Sequence, residues 1–147
     1  MANGTASVDL AVPAAAAFPY LVDPALLPKW VGGMVACEVL PGPASGVGRR
    51  LRQVVEQGGR RFEIVAETLE EDPPTLFVAR LEVEGIGARA THRLSPNGGG
   101  SRLTTALAPE GRSLLARVTA PVVMAVAGAR LQSDLDRLAA VVDAEKR

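Results

Sequence analysis

The chain has 147 residues, a length that suits one ordinary domain with a single substantial core. Sixteen basic residues balance sixteen acidic ones, so no overall field would draw the protein to nucleic acid or to an anionic membrane. The lone Cys37 excludes an internal disulfide, and the chain has no signal peptide and no apolar run of membrane-spanning length, so we expect a cytoplasmic protein without stable membrane insertion.

The N-terminal part of the chain predicts a strand followed by two short helices. Ala6–Val12 alternates apolar and polar side chains, which is typical of a half-buried strand. An Ala-rich helix follows over Pro13–Val22, and Pro19 in its middle predicts a kink or an early end. An Asp-Pro pair then starts a second helix of one or two turns, Pro24 to about Trp30, because Asp caps helix starts and Pro suits the first helical position.

The middle of the chain predicts six further strands, because the apolar period changes to two and Gly- or Pro-rich turns separate the segments. Consecutive hairpins make one antiparallel meander, in which the first strand can pair at an edge with the last. No repeat or linker divides the chain, so we expect a single domain over residues 1–147. The predicted strands are Met34–Leu40, Gly48–Gln57, Arg60–Leu69, Thr75–Val83, Gly87–Leu94 and Ser101–Ala108.

The C-terminal stretch Gly111–Glu145 predicts one long helix with Pro121 inside it, and its section Val118–Ala129 carries no charge. A helix that is apolar nearly all round must be buried against something or must line something. A sheet with one apolar face needs a cover, and this helix is the one element long enough to supply it. We therefore predict an α+β fold in which a curved seven-stranded antiparallel sheet wraps around the helix.

Several stretches also carry a family resemblance: Asp-Pro before a helix that ends in Trp, Gly-x-Gly before the third strand, and Gly-Gly-Gly before the last strand, where Ser101 replaces the usual Thr. By these features the chain resembles the START-like superfamily (SRPBCC), also called the Bet v 1-like or polyketide cyclase/dehydrase and lipid transport family. The matching stretches are VDLAVPAAAAFPYLVDPALLPKW (8–30), VLPGPASGVGRRLR (39–52), AETLEEDPPTLF (66–77), HRLSPNGGGSRLT (92–104) and LQSDLDRLAAVVDA (131–144).

The resemblance covers nearly the whole chain and implies a helix-grip fold, in which the sheet and the long helix enclose a cavity. It specifies the fold more than the activity, because such members include ligand carriers, cyclases and hormone receptors. The resemblance also implies that Trp30 lies near the cavity mouth, and a core residue that fixes the short helices is the alternative.

Strand alternation and helix spacing predict which side chains face such a cavity. Outward Glu63, Arg80 and Arg89 leave the alternate residues of their strands pointing inward. On the helix, small residues at spacings of three or four suit either a cavity or close packing on the sheet. The predicted ligand-binding residues are Trp30, Leu51, Gln53, Val55, Phe62, Ile64, Phe77, Ala79, Leu81, His92, Leu94, Leu103, Thr105, Val118, Val122, Ala125 and Ala129.

The only histidine, His92, is the candidate for acid/base chemistry, because its ordinary pKa lies near neutral pH. No Ser, Cys or carboxylate is placed by spacing to complete a catalytic set. The alternative is a core or pocket histidine, with Gln53 and Thr105 as polar neighbours that orient a ligand. Aromatic residues make up only 3% of the chain, which counts against an aromatic-lined cyclase pocket.

Two surfaces offer partners of other kinds. Five arginines fall on one hairpin, where phosphate or acidic lipid could bind, but glutamates on the same strands favour an ordinary solvated face. An apolar patch at Val123, Met124 and Ala127, if exposed, favours a homodimer over a membrane surface. No metal-ligand spacing or phosphate loop is present, so we expect no metal, no cofactor and no nucleic acid partner. The arginines are Arg49, Arg50, Arg52, Arg60 and Arg61.

Three functions follow from these features, in order of preference. The first is a carrier or sensor that binds a hydrophobic small molecule or lipid in the cavity. The second is a cyclase or dehydratase that acts on a polyketide-like substrate with His92 as acid/base. The third is an interaction protein, stress- or toxin-associated, that has no ligand.

Overall fold

The computed structural model describes residues 4–83, 85–110 and 130–145, and seven strands among them form one antiparallel sheet. The sheet order is β1-β7-β6-β5-β4-β3-β2, so each strand from β2 onward pairs with its successor and β1 pairs with β7 at the other edge. The predicted meander and its edge pairing are therefore confirmed. The strands are β1 Gly4–Leu10, β2 Met34–Val39, β3 Arg50–Gln57, β4 Arg60–Asp72, β5 Leu76–Val83, β6 Ile86–Asn97 and β7 Gly100–Glu110.

Two short helices, α1 Ala14–Ala17 and α2 Pro19–Val22, and a 3₁₀ turn at Leu27–Lys29 lie between β1 and β2. The first predicted helix is divided where Pro19 removes an amide donor, and α2 starts at this proline, in the position that proline favours. The second predicted helix is reduced to the 3₁₀ turn, because Pro28 lies inside it and cannot donate to a longer ladder.

The described part of the C-terminal helix, residues 130–145, is named α3 here. Leu131, Leu135, Leu138 and Val142 recur along it at spacings of three or four and are all buried. They share one core with inward residues of the sheet and with the short helices. The predicted fold class, a curved antiparallel sheet with a long C-terminal helix and two short helices after β1, is confirmed.

Several predictions about this helix lie outside the described residues. They include the interruption at Pro121 and the uncharged section of residues 118–129. The predicted dimer patch at Val123, Met124 and Ala127 falls there too. For the residues that are described, no helix is long and apolar enough to span a membrane.

Strand β4 is longer than its apolar pattern predicts, and it contains a bulge. The pairing register with β5 shifts between Thr68 and Glu70, and the strand then continues to Asp72. A bulge bends a strand and increases its twist, which helps a sheet curve around a helix. The acidic run Glu70–Asp72 hides this extension in the sequence, because charged residues in a row break the alternation.

Polar contacts, here called the helix–loop clasp, join α3 to the loop after the 3₁₀ turn. Asp134 accepts a hydrogen bond from the Gly32 amide at 3.0 Å, and Arg130 donates to the Gly32 carbonyl at 2.8 Å. Arg137 donates to the Trp30 carbonyl at 3.1 Å. Three helix side chains therefore bind one loop, and the clasp connects α3 to the segment that leads into β2.

Candidate ligand-binding pocket

An apolar pocket lies on the concave face of the sheet, bounded also by the segment after α2 and by α3. Its volume is about 540 Å³, within the range of small-molecule sites. Most of its wall is aliphatic or aromatic. Among the predicted ligand-binding residues, those on the wall are Trp30, Leu51, Gln53, Val55, Phe62, Ile64, Phe77, Ala79, Leu81, His92 and Thr105.

Two further predicted residues, Leu94 and Leu103, are part of the core and do not line the pocket; they are 4% and 0% exposed. They form the next inward pair along β6 and β7, two residues beyond the His92–Thr105 pair. Strand alternation predicts the face of a residue but not where along the strand the cover begins. The predicted helix residues Val118, Val122, Ala125 and Ala129 lie outside the described residues. Ligand contact by any of these residues stays a prediction.

The pocket wall also contains residues that we did not predict. Thr68 is 2% exposed and continues the inward alternation of β4, so the signal for it was present in the sequence. Arg130 and Asp134 belong to the wall and to the helix–loop clasp. The sequence did not indicate this, because a charged pair four residues apart on a helix is typical of a solvent-exposed face. The other unpredicted wall residues include Leu21, Leu27, Val31, Met34, Gln57, Arg60, Ala88 and Leu131.

His92 is held by two neighbours. Its Nδ1 lies 2.8 Å from Oγ1 of Thr105, which is directly opposite on β7 and fully buried. The ring of Phe77, opposite on β5, stacks on the imidazole with centroids 5.9 Å apart and planes 16° apart. Because both partners are fixed by strand register, the imidazole has one defined orientation at the pocket wall.

The environment of His92 keeps the imidazole neutral. Burial lowers the pKa of His92 to about 4, because the charged ring would lose its hydration without gaining an anionic partner. The residue as a whole is half-buried, and it lies on the wall of an apolar pocket. At neutral pH the pocket therefore presents an uncharged imidazole, which is a hydrogen-bonding group and a weak base.

Trp30 is a core residue that also lines the pocket, and its predicted position at the cavity mouth stays a prediction. The side chain is 5% exposed, and its Nε1 donates to the Tyr20 carbonyl of α2 at 2.8 Å. This bond fixes the 3₁₀ turn to the preceding helix, as expected of a core residue. The same side chain also forms part of the pocket wall. The tryptophan thus connects the short helices to the site.

The arginines of the predicted basic patch do not share one solvent-exposed surface. Arg49 is only 7% exposed, and its guanidinium donates to the Val22 carbonyl at the C-terminal end of α2, so it does not belong to a solvated face. Arg52 pairs with Glu38 and Glu63, and Arg61 pairs with Glu56. Arg60 lies over the Phe62 ring at 4.7 Å and lines the pocket.

Nucleophilic or metal chemistry has little support in the described part of the chain. Burial raises the pKa of Cys37 to about 11, so the thiol stays protonated and unreactive at neutral pH. The described ranges hold no group of three or more His, Cys, Asp or Glu side chains that could bind a metal ion.

Comparison with solved structures gives the same fold at low identity. TTHA0849 from Thermus thermophilus is 18% identical with a TM-score of 0.78 over 99% of both chains. Ara h 8.0201 is 18% identical with a TM-score of 0.64, over 92% of this chain and 97% of that one. DynU16, from the dynemicin biosynthetic locus, is 19% identical with a TM-score of 0.68, over 97% of this chain and 48% of that one.

The sequence itself matches a family model. No curated protein matches the chain. Residues 1–143, nearly the whole length, match the model described as polyketide cyclase/dehydrase and lipid transport. The resemblance drawn from the Asp-Pro, Gly-x-Gly and Gly-Gly-Gly features is therefore confirmed, and the chain belongs to the polyketide cyclase/dehydrase and lipid transport family.

Proposed function

We propose that this protein is a carrier or sensor that binds one uncharged, largely apolar small molecule or lipid in the pocket between the sheet and α3. The observation that carries the proposal is the apolar pocket of about 540 Å³ in a chain of this size. A cavity of that volume gives up the packing that would otherwise stabilise the core. A ligand that fills it would restore those contacts.

The composition of the wall supports an uncharged ligand. Apolar surface contributes about 25 cal/mol per Å² on burial, before the costs of binding, so the aliphatic wall would supply most of the affinity. The neutral polar side chains along the strands are Gln53, Gln57, Thr68, His92 and Thr105. The charged side chain on the strand wall, Arg60, lies over the Phe62 ring at 4.7 Å. The charged Arg130 and Asp134 are already engaged in the helix–loop clasp. A few neutral groups in an apolar pocket orient a ligand and select its polar atoms.

The second candidate function is a cyclase or dehydratase on a polyketide-like substrate, with His92 as acid/base. The presence of this histidine on the pocket wall favours it, as does the family to which the chain belongs. A pKa of about 4 makes the ring a poor general base at neutral pH, however. The nearest polar partner of His92, Thr105, is bonded to Nδ1 and fully buried. We therefore rank the carrier above the enzyme.

The remaining predictions belong to this proposal as well. A ligand-free interaction role, stress- or toxin-associated, predicts a collapsed interior. It ranks third because the structure contains a pocket of about 540 Å³. A cytoplasmic location fits the unpaired Cys37, because reducing compartments keep thiols free. A homodimer remains an open prediction, since its patch at Val123, Met124 and Ala127 is not among the described residues.

Native mass spectrometry of freshly purified protein, followed by extraction and identification of any bound molecule, tests the proposal. We expect a stoichiometric adduct that is neutral and predominantly apolar. A ligand-free mass that a panel of fatty acids, sterols and aromatic polyketides leaves unshifted would remove the carrier function. Turnover of a bound carbonyl compound that stops in His92→Ala, while binding persists, would instead favour the enzyme.

A further inference from the structure

The hydroxyl of Thr105 has one available partner. This residue is completely buried, and its Oγ1 lies 2.8 Å from Nδ1 of His92. Within the described part of the chain, neither side chain makes any other hydrogen bond. A threonine hydroxyl carries one proton to donate and two lone pairs that accept. A buried proton without an acceptor loses its hydration with no compensation, whereas an unused lone pair costs less.

This difference decides which way the bond runs. If Nδ1 carried the proton and donated, the hydroxyl proton of Thr105 would have no acceptor in the described structure. If the hydroxyl donates to an unprotonated Nδ1, that proton is satisfied. The neutral imidazole must then carry its own proton on Nε2.

The Nε2 atom is open to the pocket. Among buried side-chain nitrogen and oxygen atoms of the described residues, only Nε of Arg49 lacks a hydrogen-bond partner. Nε2 of His92 has no partner either, yet it is not among these buried atoms, so it keeps accessible surface. His92 belongs to the pocket wall. Stacking on Phe77 restricts rotation of the ring out of its plane. The proton on Nε2 therefore has a fixed direction.

We propose that Thr105 is a positioning residue, which holds His92 as the Nε2–H tautomer so that the ring donates a hydrogen bond to an acceptor oxygen of the ligand. The chemical class selected is a neutral, apolar molecule with a carbonyl, ester or ether oxygen, in preference to the matching hydrocarbon. This inference rests on the proposed function, because it specifies the molecule that the pocket binds. It also explains why His92 is unsuited to act as a general base: Nε2 has no free lone pair, and the lone pair of Nδ1 is used by Thr105.

The tautomer can be measured without any ligand. Two-bond nitrogen–proton correlations from ¹⁵N-histidine-labelled protein distinguish a protonated Nε2 from a protonated Nδ1. We expect Nε2–H in the wild-type protein and in Thr105→Ser, which keeps the hydroxyl. In Thr105→Val, which keeps the shape and removes the donor, we expect a mixture of both tautomers. A wild-type protein protonated on Nδ1 would overturn the inference, whatever the pocket binds.

A matched pair of probes tests the ligand class. Titration calorimetry with 9-fluorenone and with fluorene compares a ketone with its hydrocarbon of nearly equal shape. We expect the wild-type protein to prefer the ketone by roughly 3- to 10-fold, the effect of one neutral hydrogen bond. The preference should disappear in His92→Phe, decrease in Thr105→Val and survive in Thr105→Ser. Equal wild-type affinities would overturn the inference but leave the proposed function intact. Binding of neither probe would count against the proposed function and the acceptor preference together.

Discussion

At the scale of single residues, Gly100, the first residue of β7, has the least room for a side chain among the glycines of the described residues. A Cβ atom at this position would lie 2.1 Å from the Leu10 carbonyl oxygen of β1. The obstacle is backbone held in the β1–β7 ladder, so it cannot move aside as a flexible side chain would. Only a residue without a side chain fits there. This agrees with the glycine run that precedes the last strand of the family pattern.

We expect Gly100→Ala to reduce the free energy of unfolding by about 2–3 kcal/mol, the upper part of the range for overpacking. Gly99→Ala is the matched control, because a Cβ at Gly99 would have no atom within 4 Å. Urea denaturation of the two variants and the wild-type protein gives the comparison. Equal midpoints for the two variants would mean that β1 does not approach Gly100 so closely.

The pH dependence of stability is a second property that belongs to one residue. The chain has one histidine, and burial lowers its pKa from the ordinary 6.5 to about 4. Between these values the unfolded chain takes up a proton that the folded protein does not, so stability is lost as the pH falls. From pH 7 to pH 5 we expect a loss of up to about 2 kcal/mol, since one pKa unit corresponds to about 1.4 kcal/mol.

The His92→Gln variant isolates this effect. Urea titrations at pH 7 and pH 5 should show a large decrease in the wild-type protein and a much smaller one in the variant. Carboxylates change the free energy of unfolding mainly at lower pH. For example, hydrogen bonding from Arg80 holds the pKa of Glu110 below its ordinary value. The same pH dependence in both proteins would show that His92 is not the titrating group.

At the scale of elements, the helix–loop clasp connects α3 to the sheet edge beside the pocket. Asp134 accepts from the Gly32 amide and from Arg137, and its side chain is mostly buried at 14% exposure. Asp134→Ala leaves the Gly32 amide without its acceptor, so we expect a loss of about 1–3 kcal/mol in the free energy of unfolding. Asp136→Ala is the control, because Asp136 is exposed and bonds only to the nearby Gln132.

Amide hydrogen exchange at Gly32 gives a local measurement for the same pair of variants. Exchange there should accelerate in Asp134→Ala and stay at the wild-type rate in Asp136→Ala. Unchanged protection at Gly32 in both variants would mean that the loop is held by other contacts.

The elements themselves were largely predictable from sequence. Alternation in β3 and β4 assigned Leu51, Gln53, Phe62 and Ile64 to one face, and all four lie on the pocket wall. The bulge after Thr68 was not predictable, because a register shift depends on pairing with β5 rather than on local pattern. The reduction of the second helix to a 3₁₀ turn could have been inferred from Pro28, which removes an amide in the middle of that segment.

At the scale of the whole molecule, the sheet order followed from consecutive hairpins and from the one remaining partner for β1. The pocket did not follow, because the same small and apolar residues would suit either a filled core or a cavity. Whether the core is filled or contains a cavity depends on the distance between α3 and the sheet. The clasp residues Arg130 and Asp134 contribute to that distance, because they bind α3 to the loop before β2. Charged side chains on a helix carry no sign in the sequence that they bind a loop rather than solvent.

Filling the pocket from within the sheet tests whether the space has a use. Ala88 lies on the pocket wall and keeps some accessible surface, so a larger side chain there has room to extend into the cavity. We expect Ala88→Trp to remain folded and to lose at least tenfold in affinity for apolar ligands, because the indole occupies their volume. Ala106→Trp is the control, since Ala106 pairs with outward Thr91 and lies on the opposite face of the sheet.

Thermal unfolding and binding of a fluorescent apolar probe, measured together, separate blocking of the pocket from loss of fold. If the pocket is the binding site, Ala88→Trp should keep a melting temperature near that of the wild-type protein while probe binding falls, and Ala106→Trp should change neither. An Ala88→Trp protein that is folded and binds the probe with wild-type affinity would locate binding elsewhere on the molecule. The space between the sheet and α3 would then be a packing defect. No ligand would reach the pocket, so His92 and Thr105 could not select one by its acceptor oxygen.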